Sequence, residues 1–280
     1  MSLLPEFPMQ ETRVGGIRLN YVDVGRGEPL LLLHGAGPAA SGVHHYCRNI
    51  EALARRFRVI VPDQPNFGRS DVVPFTEAPS LINARAADGL LAALGIERAH
   101  VAGYSMGGSA AIRLAATFPQ RVHKLILIGG GGPSLPTLVS VNPTEGIRLI
   151  GAYARAPSRE KFDTVYRLFV ERQEELSDAL IDELWAFEQD TVAKRAGPPP
   201  APALIPDDLY SCLRQIKAET LVIRGRDDRY APLDQGLATI NAVADSRLHV
   251  FTRCGHWVQF EVAAEFNRLV EHFLTGPAQA

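Results

Sequence analysis

The sequence predicts an α/β protein, with a mostly parallel central sheet, helices on both faces and an inserted helical cap. Three observations carry this. Six short apolar runs recur along the chain, helical stretches separate them, and one long interval between the fourth and fifth runs breaks the rhythm. The runs are near-continuous rather than alternating, as expected of strands buried on both faces of a parallel sheet. Strand–helix alternation with right-handed crossovers then stacks into a three-layer sandwich.

Residues 13–24 alternate around Gly15-Gly16 and read as a two-stranded antiparallel start. The core strands are PLLLLHG (29–35), RFRVIVPD (56–63), RAHVAGY (98–104), RVHKLILIGG (121–130), TLVIRG (220–225) and SRLHVF (246–251). Helical patterns fall near 43–55, 80–95, 106–118, 233–243 and 258–274. After Gly129 to Gly132 and Pro133 no core strand arrives until Thr220. That interval holds helical patterns near 144–155, 158–173 and 177–194, then AGPPPAPALIP (196–206). The domain reading is therefore a core of residues 1–132 and 209–280, with 133–208 as a helical cap over the carboxyl edge of the sheet. The Pro-rich piece is either a returning hinge or stiff linker, or a surface loop.

Composition narrows the function. Of 280 residues, 46% are hydrophobic and 21% charged, which excludes intrinsic disorder. A net charge of −2 and a pI near 6.5 exclude a nucleic-acid footprint. No apolar run approaches the roughly 18–20 residues of a membrane span. The start, MSLLPEFPMQET, lacks a basic n-region and does not read as a signal peptide. Cys47, Cys212 and Cys254 are too scattered for a disulfide framework or metal spacing, and they read as reduced thiols of a cytoplasmic enzyme.

The strongest chemical signal is Gly103-Tyr104-Ser105-Met106-Gly107, which fits G-x-S-x-G. It follows an apolar strand and opens a helix, the context of a nucleophile elbow. A serine on so sharp a turn is strained, and side chains beside it would collide. The nucleophile needs a base, and the base an orienting acid, in the chain order Ser, acid, His. His123, His249, His256 and His272 follow the elbow. The first two lie in strand runs and the last on the polar side of the terminal helix. His256 alone sits on a Gly-flanked loop. For the acid, Asp227 and Asp228 compete after TLVIRG, and the loop favours Asp228. Asp227 and Arg229 then read as turn residues or ion-pair partners.

Two preset N–H donors complete such a site. Met106 offers one, and Ala36, in the loop His34-Gly35-Ala36-Gly37-Pro38, offers the other. His34 reads as a brace for that loop. No dinucleotide or P-loop fingerprint is present, and His44, His45 and Cys47 lack further ligands in register. No metal and no cofactor are expected.

These residues resemble an α/β-hydrolase, and more narrowly the meta-cleavage-product hydrolases of bacterial aromatic degradation. The resemblance spans about residues 15–275 and rests on HGAGPAASG (34–42), RNI (48–50), SMGG (105–108), NPTEGIR (142–148), LFV (168–170), SDAL (177–180), GRDDRYAPLD (225–234) and CGHWVQFE (254–261). It implies an α/β-hydrolase fold with a Ser105–Asp228–His256 triad, Ala36 and Met106 as oxyanion donors, and a homodimer or higher homo-oligomer. It also places Gly37, His45, Tyr104, Phe169, Leu184 and Trp257 along the substrate, with Phe169 and Trp257 as apolar pocket residues. The implied reaction takes a 2-hydroxy-6-oxohexa-2,4-dienoate, moves a proton to give the keto tautomer, and cleaves C5–C6. Three positions depart from the family. Tyr104 and His45 stand where it places Asn, and Leu184 stands where it places an Arg that holds the dienoate's acid end. Arg167 is the alternative cation. A carboxylesterase or lactonase on a less anionic substrate is the rival enzyme reading, and a ligand receptor on a hydrolase fold is the non-catalytic one.

Overall fold

The structure, a computed structural model, describes residues 3–130, 144–194 and 207–276. The Pro-rich stretch 196–206, and residues 131–143 where the sequence places the departure of the cap, lie outside the described residues. The chain begins with strands β1 (Met9–Val14) and β2 (Ile17–Val24), an antiparallel pair that turns at Gly15-Gly16. Next come β3 (Glu28–Leu33), helices α1 (Gly42–His45) and α2 (Ile50–Leu53), β4 (Phe57–Pro62), α3 (Pro79–Ala93), β5 (Ala99–Tyr104), α4 (Met106–Thr117) and β6 (Val122–Ile128). Helices α5 (Glu145–Arg155), α6 (Arg159–Phe169), α7 (Asp178–Lys194) and α8 (Leu209–Leu213) precede β7 (Glu219–Gly225). The chain ends with α9 (Leu233–Ala242), β8 (Ser246–Phe251), α10 (Val258–Glu261) and α11 (Ala263–Thr275).

The eight strands form one sheet in the order β1-β2-β4-β3-β5-β6-β7-β8, parallel from β4 to β8. Every residue of β5 and β7 is buried, as the continuous apolar runs require. Alternation along β3 divides the core in two. Leu30 and Leu32 pack with Ile50, Leu53, Phe266 and Val270, whereas Leu31 and Leu33 pack with Ala87, Leu90, Ala111 and Leu114. Phe162, Tyr166, Phe169 and Leu184 of α6 and α7 join the first of these clusters. The chain passes from β3 to β4 on one side and then to β5 on the other, so strand order reverses beside β3. Open α/β sheets leave a ligand crevice at the carboxyl ends of such strands.

Three expected helices differ. The pattern at 43–55 yields two short helices because Asn49 is buried and its amide donates to Gln259 O and Asn267 Oδ1, both at 2.9 Å. Those tertiary bonds pull the chain out of one continuous spiral. The pattern at 158–173 stops at Phe169, where Val170 turns extended. The pattern at 258–274 breaks at Val262, with φ −119° and ψ 40°.

Candidate active site

Ser105 lies between the last residue of β5 and the first of α4, at φ +52° and ψ −116°. A non-glycine residue there stores strain on the order of 1–3 kcal/mol. The surroundings impose the conformation. Ser105 N–H still donates to Ile128 O of β6 at 2.9 Å, while Ser105 O already accepts from Gly108 N at 2.9 Å. One residue thus ends a strand and starts a helix. Gly107 is required because a Cβ on it would run into the Leu33 carbonyl of β3.

The loop after β7 and the loop after β8 meet beside this serine. His256 Nδ1 donates to Asp228 Oδ2 at 2.7 Å, and Asp228 Oδ1 accepts from Tyr230 N at 2.7 Å and Ala231 N at 2.8 Å. His256 is 1% exposed and Asp228 7% exposed. A carboxylate that already accepts three bonds fixes the imidazole with its proton on Nδ1, which leaves Nε2 with a lone pair. Gly129 and Gly130 measure how close the parts lie. A Cβ on Gly130 would be 3.1 Å from Ser105 Cα, and one on Gly129 would be 3.4 Å from His256 Nδ1. Asp227 serves the turn instead: its Oδ2 accepts from Cys254 N at 3.3 Å and its Oδ1 from Arg226 Nε at 3.1 Å. Arg229 makes a paired contact with Glu145 of α5 at 2.8 and 2.7 Å.

The loop after β3 is braced from below and above. His34 is fully buried, accepts from Gln64 N at 2.9 Å on Nε2, and bonds Gly35 O at 2.7 Å through Nδ1. Gly35 N donates to His45 Nδ1 at 3.1 Å. From above, Glu188 of α7 accepts from Ala39 N at 2.6 Å, and the Tyr166 hydroxyl of α6 donates to Pro38 O at 2.9 Å. Ala36 and Gly37 are the partly exposed residues of this loop, and Met106 is partly exposed at the start of α4. Backbone N–H groups at a helix start and on a braced loop are suited to a developing oxyanion.

The remaining sequence-derived positions line up as follows. Tyr104 is 1% exposed, and its ring sits 5.1 Å from both His45 and His256. Its hydroxyl is buried with no hydrogen-bond partner among the described residues, and burial holds the phenol well above its ordinary range. Burial likewise keeps the His45 imidazole well below its usual range, and therefore neutral. Phe169 packs 5.4 Å from His256 and faces Gly37, where a Cβ would lie 3.8 Å from its ring. Trp257 stacks on Phe260 at 4.1 Å and donates its indole N–H to His45 O at 3.1 Å. Leu184 is fully buried among the apolar residues of α6 and α7. Arg167 is tied at the surface to Asp163, at 3.0 Å, and to Asp178. His44 and His45 do not converge: His44 Nδ1 bonds Ala39 O at 2.9 Å and its ring abuts Phe187.

Sequence reasoning gave no role to three residues that shape this region. Tyr230 packs with its ring 4.6 Å from the His256 ring, the planes tilted by 44°. The buried Glu261 carboxylate accepts from Gly255 N at 2.7 Å, and from Glu171 N and Arg172 N at 2.8 Å each, so it fixes the histidine loop. Glu188 holds the loop after β3. Tyr230 and Glu261 lie inside the GRDDRYAPLD and CGHWVQFE runs, whereas Glu188 carries no sequence signal.

A family model for the alpha/beta hydrolase fold matches residues 28–263. The 2-hydroxy-6-oxo-6-phenylhexa-2,4-dienoate hydrolase of Comamonas testosteroni is 40% identical over 275 residues, covering 95% of this chain and 94% of that one. The 2-hydroxy-6-oxononadienedioate/2-hydroxy-6-oxononatrienedioate hydrolase of Paraburkholderia phymatum is 42% identical over 268 residues, covering 92% and 91%. Among solved structures, a meta-cleavage product hydrolase from Pseudomonas fluorescens, a serine-to-alanine mutant complexed with acetates, superposes with a TM-score of 0.82. It is 32% identical and covers 95% of this chain and 97% of its own.

Proposed function

Because the chain belongs to the alpha/beta hydrolase fold family, we propose that it is a serine hydrolase cleaving the C5–C6 bond of a 2-hydroxy-6-oxohexa-2,4-dienoate. Such compounds are the ring-fission products of aromatic degradation. The observation that carries this reading is the Asp228–His256 hydrogen bond of 2.7 Å beside a strained serine, in a chain 40% identical to an enzyme named for that hydrolysis. In this scheme the substrate first shifts a proton to give its keto tautomer. His256 Nε2 then takes the Ser105 proton as Oγ adds to the C6 carbonyl. The N–H groups of Ala36 and Met106 hold the oxyanion. The C5–C6 electron pair leaves with the five-carbon fragment, C5 receives a proton, and water hydrolyses the acyl-serine. The products are a 2-hydroxypentadienoate and a carboxylic acid.

Residues 133–208 act in this scheme as a cap over the crevice, the enzyme works in the cytoplasm as a homodimer or higher homo-oligomer, and the hydrolysis itself uses no metal or cofactor. Gly37, His45, Tyr104, Phe169, Leu184 and Trp257 border the substrate. A second reading, a carboxylesterase or lactonase, draws support from one feature. Leu184 is buried and apolar where the resembled family carries an arginine, and Arg167 is engaged by two carboxylates. The deciding experiment follows loss of the dienoate chromophore of 2-hydroxy-6-oxo-6-phenylhexa-2,4-dienoate, alongside a p-nitrophenyl ester series, on the native enzyme and Ser105→Ala. Chromophore loss abolished by the substitution supports C–C hydrolysis. Ester turnover alone supports the second reading, and neither activity overturns both.

A further inference from the structure

The catalytic features gather at the carboxyl end of the sheet, yet the amino end carries a polar group of its own. His100 is the second residue of β5 and His123 the second of β6. The β5–β6 register shifts between Ala99↔Val122 and Val101↔Leu125, so two residues of β6 oppose His100. A bulge of this kind re-aims a side chain, and it is rare between parallel strands. Here it brings His123 alongside His100, with ring centroids 4.6 Å apart and planes inclined by 20°. Glu28, the first residue of the adjacent β3, reaches in with Oε2 at 3.2 Å from His100 Nε2.

We propose that Glu28, His100 and His123 form a binding site for a divalent transition-metal ion, with Zn2+ the best fit. One donor atom from each residue lies within 4.8 Å of the other two. Zinc binds imidazole nitrogen and carboxylate oxygen at about 2.0–2.2 Å, so tetrahedral donors stand about 3.3 Å apart. Glu28 and His100 already hold that spacing, and the half-buried His123 ring must move closer to complete it. Two imidazoles and one carboxylate form the donor set of a zinc site with a position open to water, and the same set accepts Ni2+ and Cu2+.

The surroundings are compatible with a cation. Lys124 is turned away: its Nζ pairs with Glu219 at 3.0 Å and donates to Phe273 O and Gly276 O at 2.9 Å. Arg98 directs Nε to Val122 O at 3.4 Å. Glu28 is the anion bonded to His100, while Lys124, Arg98 and Glu219 act on the ring pair from farther away. The site is remote from the proposed chemistry, because the five residues from His100 to Ser105 span about 16 Å along the strand. Its role is to clamp β3, β5 and β6 together, so the ion adds to stability and leaves turnover alone.

The test uses the tag-free full chain, stripped with EDTA and titrated with ZnCl2 by calorimetry at pH 7.5. Melting curves with and without Zn2+ and the visible spectrum of the Co2+ form accompany it. One ion per chain is expected, with a melting rise of about 5 °C at a hundred-fold excess over Kd. His123→Ala and Glu28→Gln should each weaken uptake ten-fold or more and abolish the rise, and hydrolytic kcat/KM should be unchanged by the ion. Both residues are at least partly exposed, so these variants fold even where the buried His100→Ala does not. Absence of stoichiometric uptake would overturn the proposal, as would uptake that survives both substitutions undiminished.

Discussion

Two walls flank Ser105, and they differ in how their polar atoms are matched. On the Asp228–His256 wall, Asp228 accepts three hydrogen bonds and Glu261 accepts three more, one from the histidine loop and two from the chain just after α6. On the side of the loop after β3, the Tyr104 hydroxyl, whose ring lies between His45 and His256, has no partner among the described residues, and the His44 and His45 rings stay neutral through burial. The contrast separates two jobs. The first wall is over-determined and keeps an imidazole in one tautomer, which is what proton transfer demands. The second carries a single spare hydroxyl, and under the proposed function it is the side that would set which substrates are admitted.

The comparison breaks most sharply on the first wall. Ser105→Ala and His256→Ala should each lower kcat by about a thousand-fold or more, and Asp228→Asn by a similar order through the wrong tautomer. Asp227→Asn should cost less than about ten-fold, since it only braces the turn. Steady-state kinetics on folded variants check this. More than a tenth of native activity in His256→Ala would remove the contrast altogether.

The second wall should respond to acid. The folded state holds the His44 imidazole at a pKa of about 4 through burial, while the unfolded chain takes up that proton near pH 6.5. The unfolded state then binds more protons, so this contribution to stability is present above pH 6.5 and is lost as pH falls toward 4. Its ceiling is about 3 kcal/mol. Urea unfolding between pH 7.5 and 4.5 should record the decline, and a flat profile would mean that His44 charges without opening the wall.

A smaller effect concerns selectivity. With Leu184 in place of a cation, a matched methyl ester should be turned over in preference to its free acid. Leu184→Arg should move the kcat/KM ratio toward the acid by ten-fold or more, the worth of a charge-assisted bond of about 1.5–3 kcal/mol. A native enzyme that already favours the acid by ten-fold would locate a cation elsewhere. Smallest of all, Tyr104→Phe removes a buried, unmatched hydroxyl and should raise stability by about 1 kcal/mol. Destabilisation instead would reveal that the hydroxyl is matched in solution.

Much of the first wall was readable because its signals are local. An apolar run followed by G-x-S-x-G specifies a strand, a turn and a helix within a few residues. A histidine between Gly255 and the last helix has few places to go, and the 2.7 Å bond places Asp228 rather than Asp227 beside it. The second wall was not readable in the same way. Glu188 acts on Ala39 from 149 positions away. The pairing of His100 with His123 depends on a bulge that no spacing announces. The division of the helix at 43–55 follows from Asn49 bonding residues more than 200 positions distant. Where a partner is remote in the chain, periodicity carries no information about it.

The helices between β6 and β7 are fastened to all three loops around Ser105. Glu188 and Tyr166 hold the loop after β3, Trp257 N donates to Phe169 O at 2.8 Å, and Thr144 Oγ1 donates to Tyr230 O at 2.9 Å. None of these bonds belongs to the sheet, so they can open while the strands remain intact. Gentle heating or dilute denaturant should therefore silence the enzyme well before its far-ultraviolet signal changes. Shelf life then depends on how these helices are held to the loops rather than on the strands, and those are the positions to reinforce in a preparation meant to last.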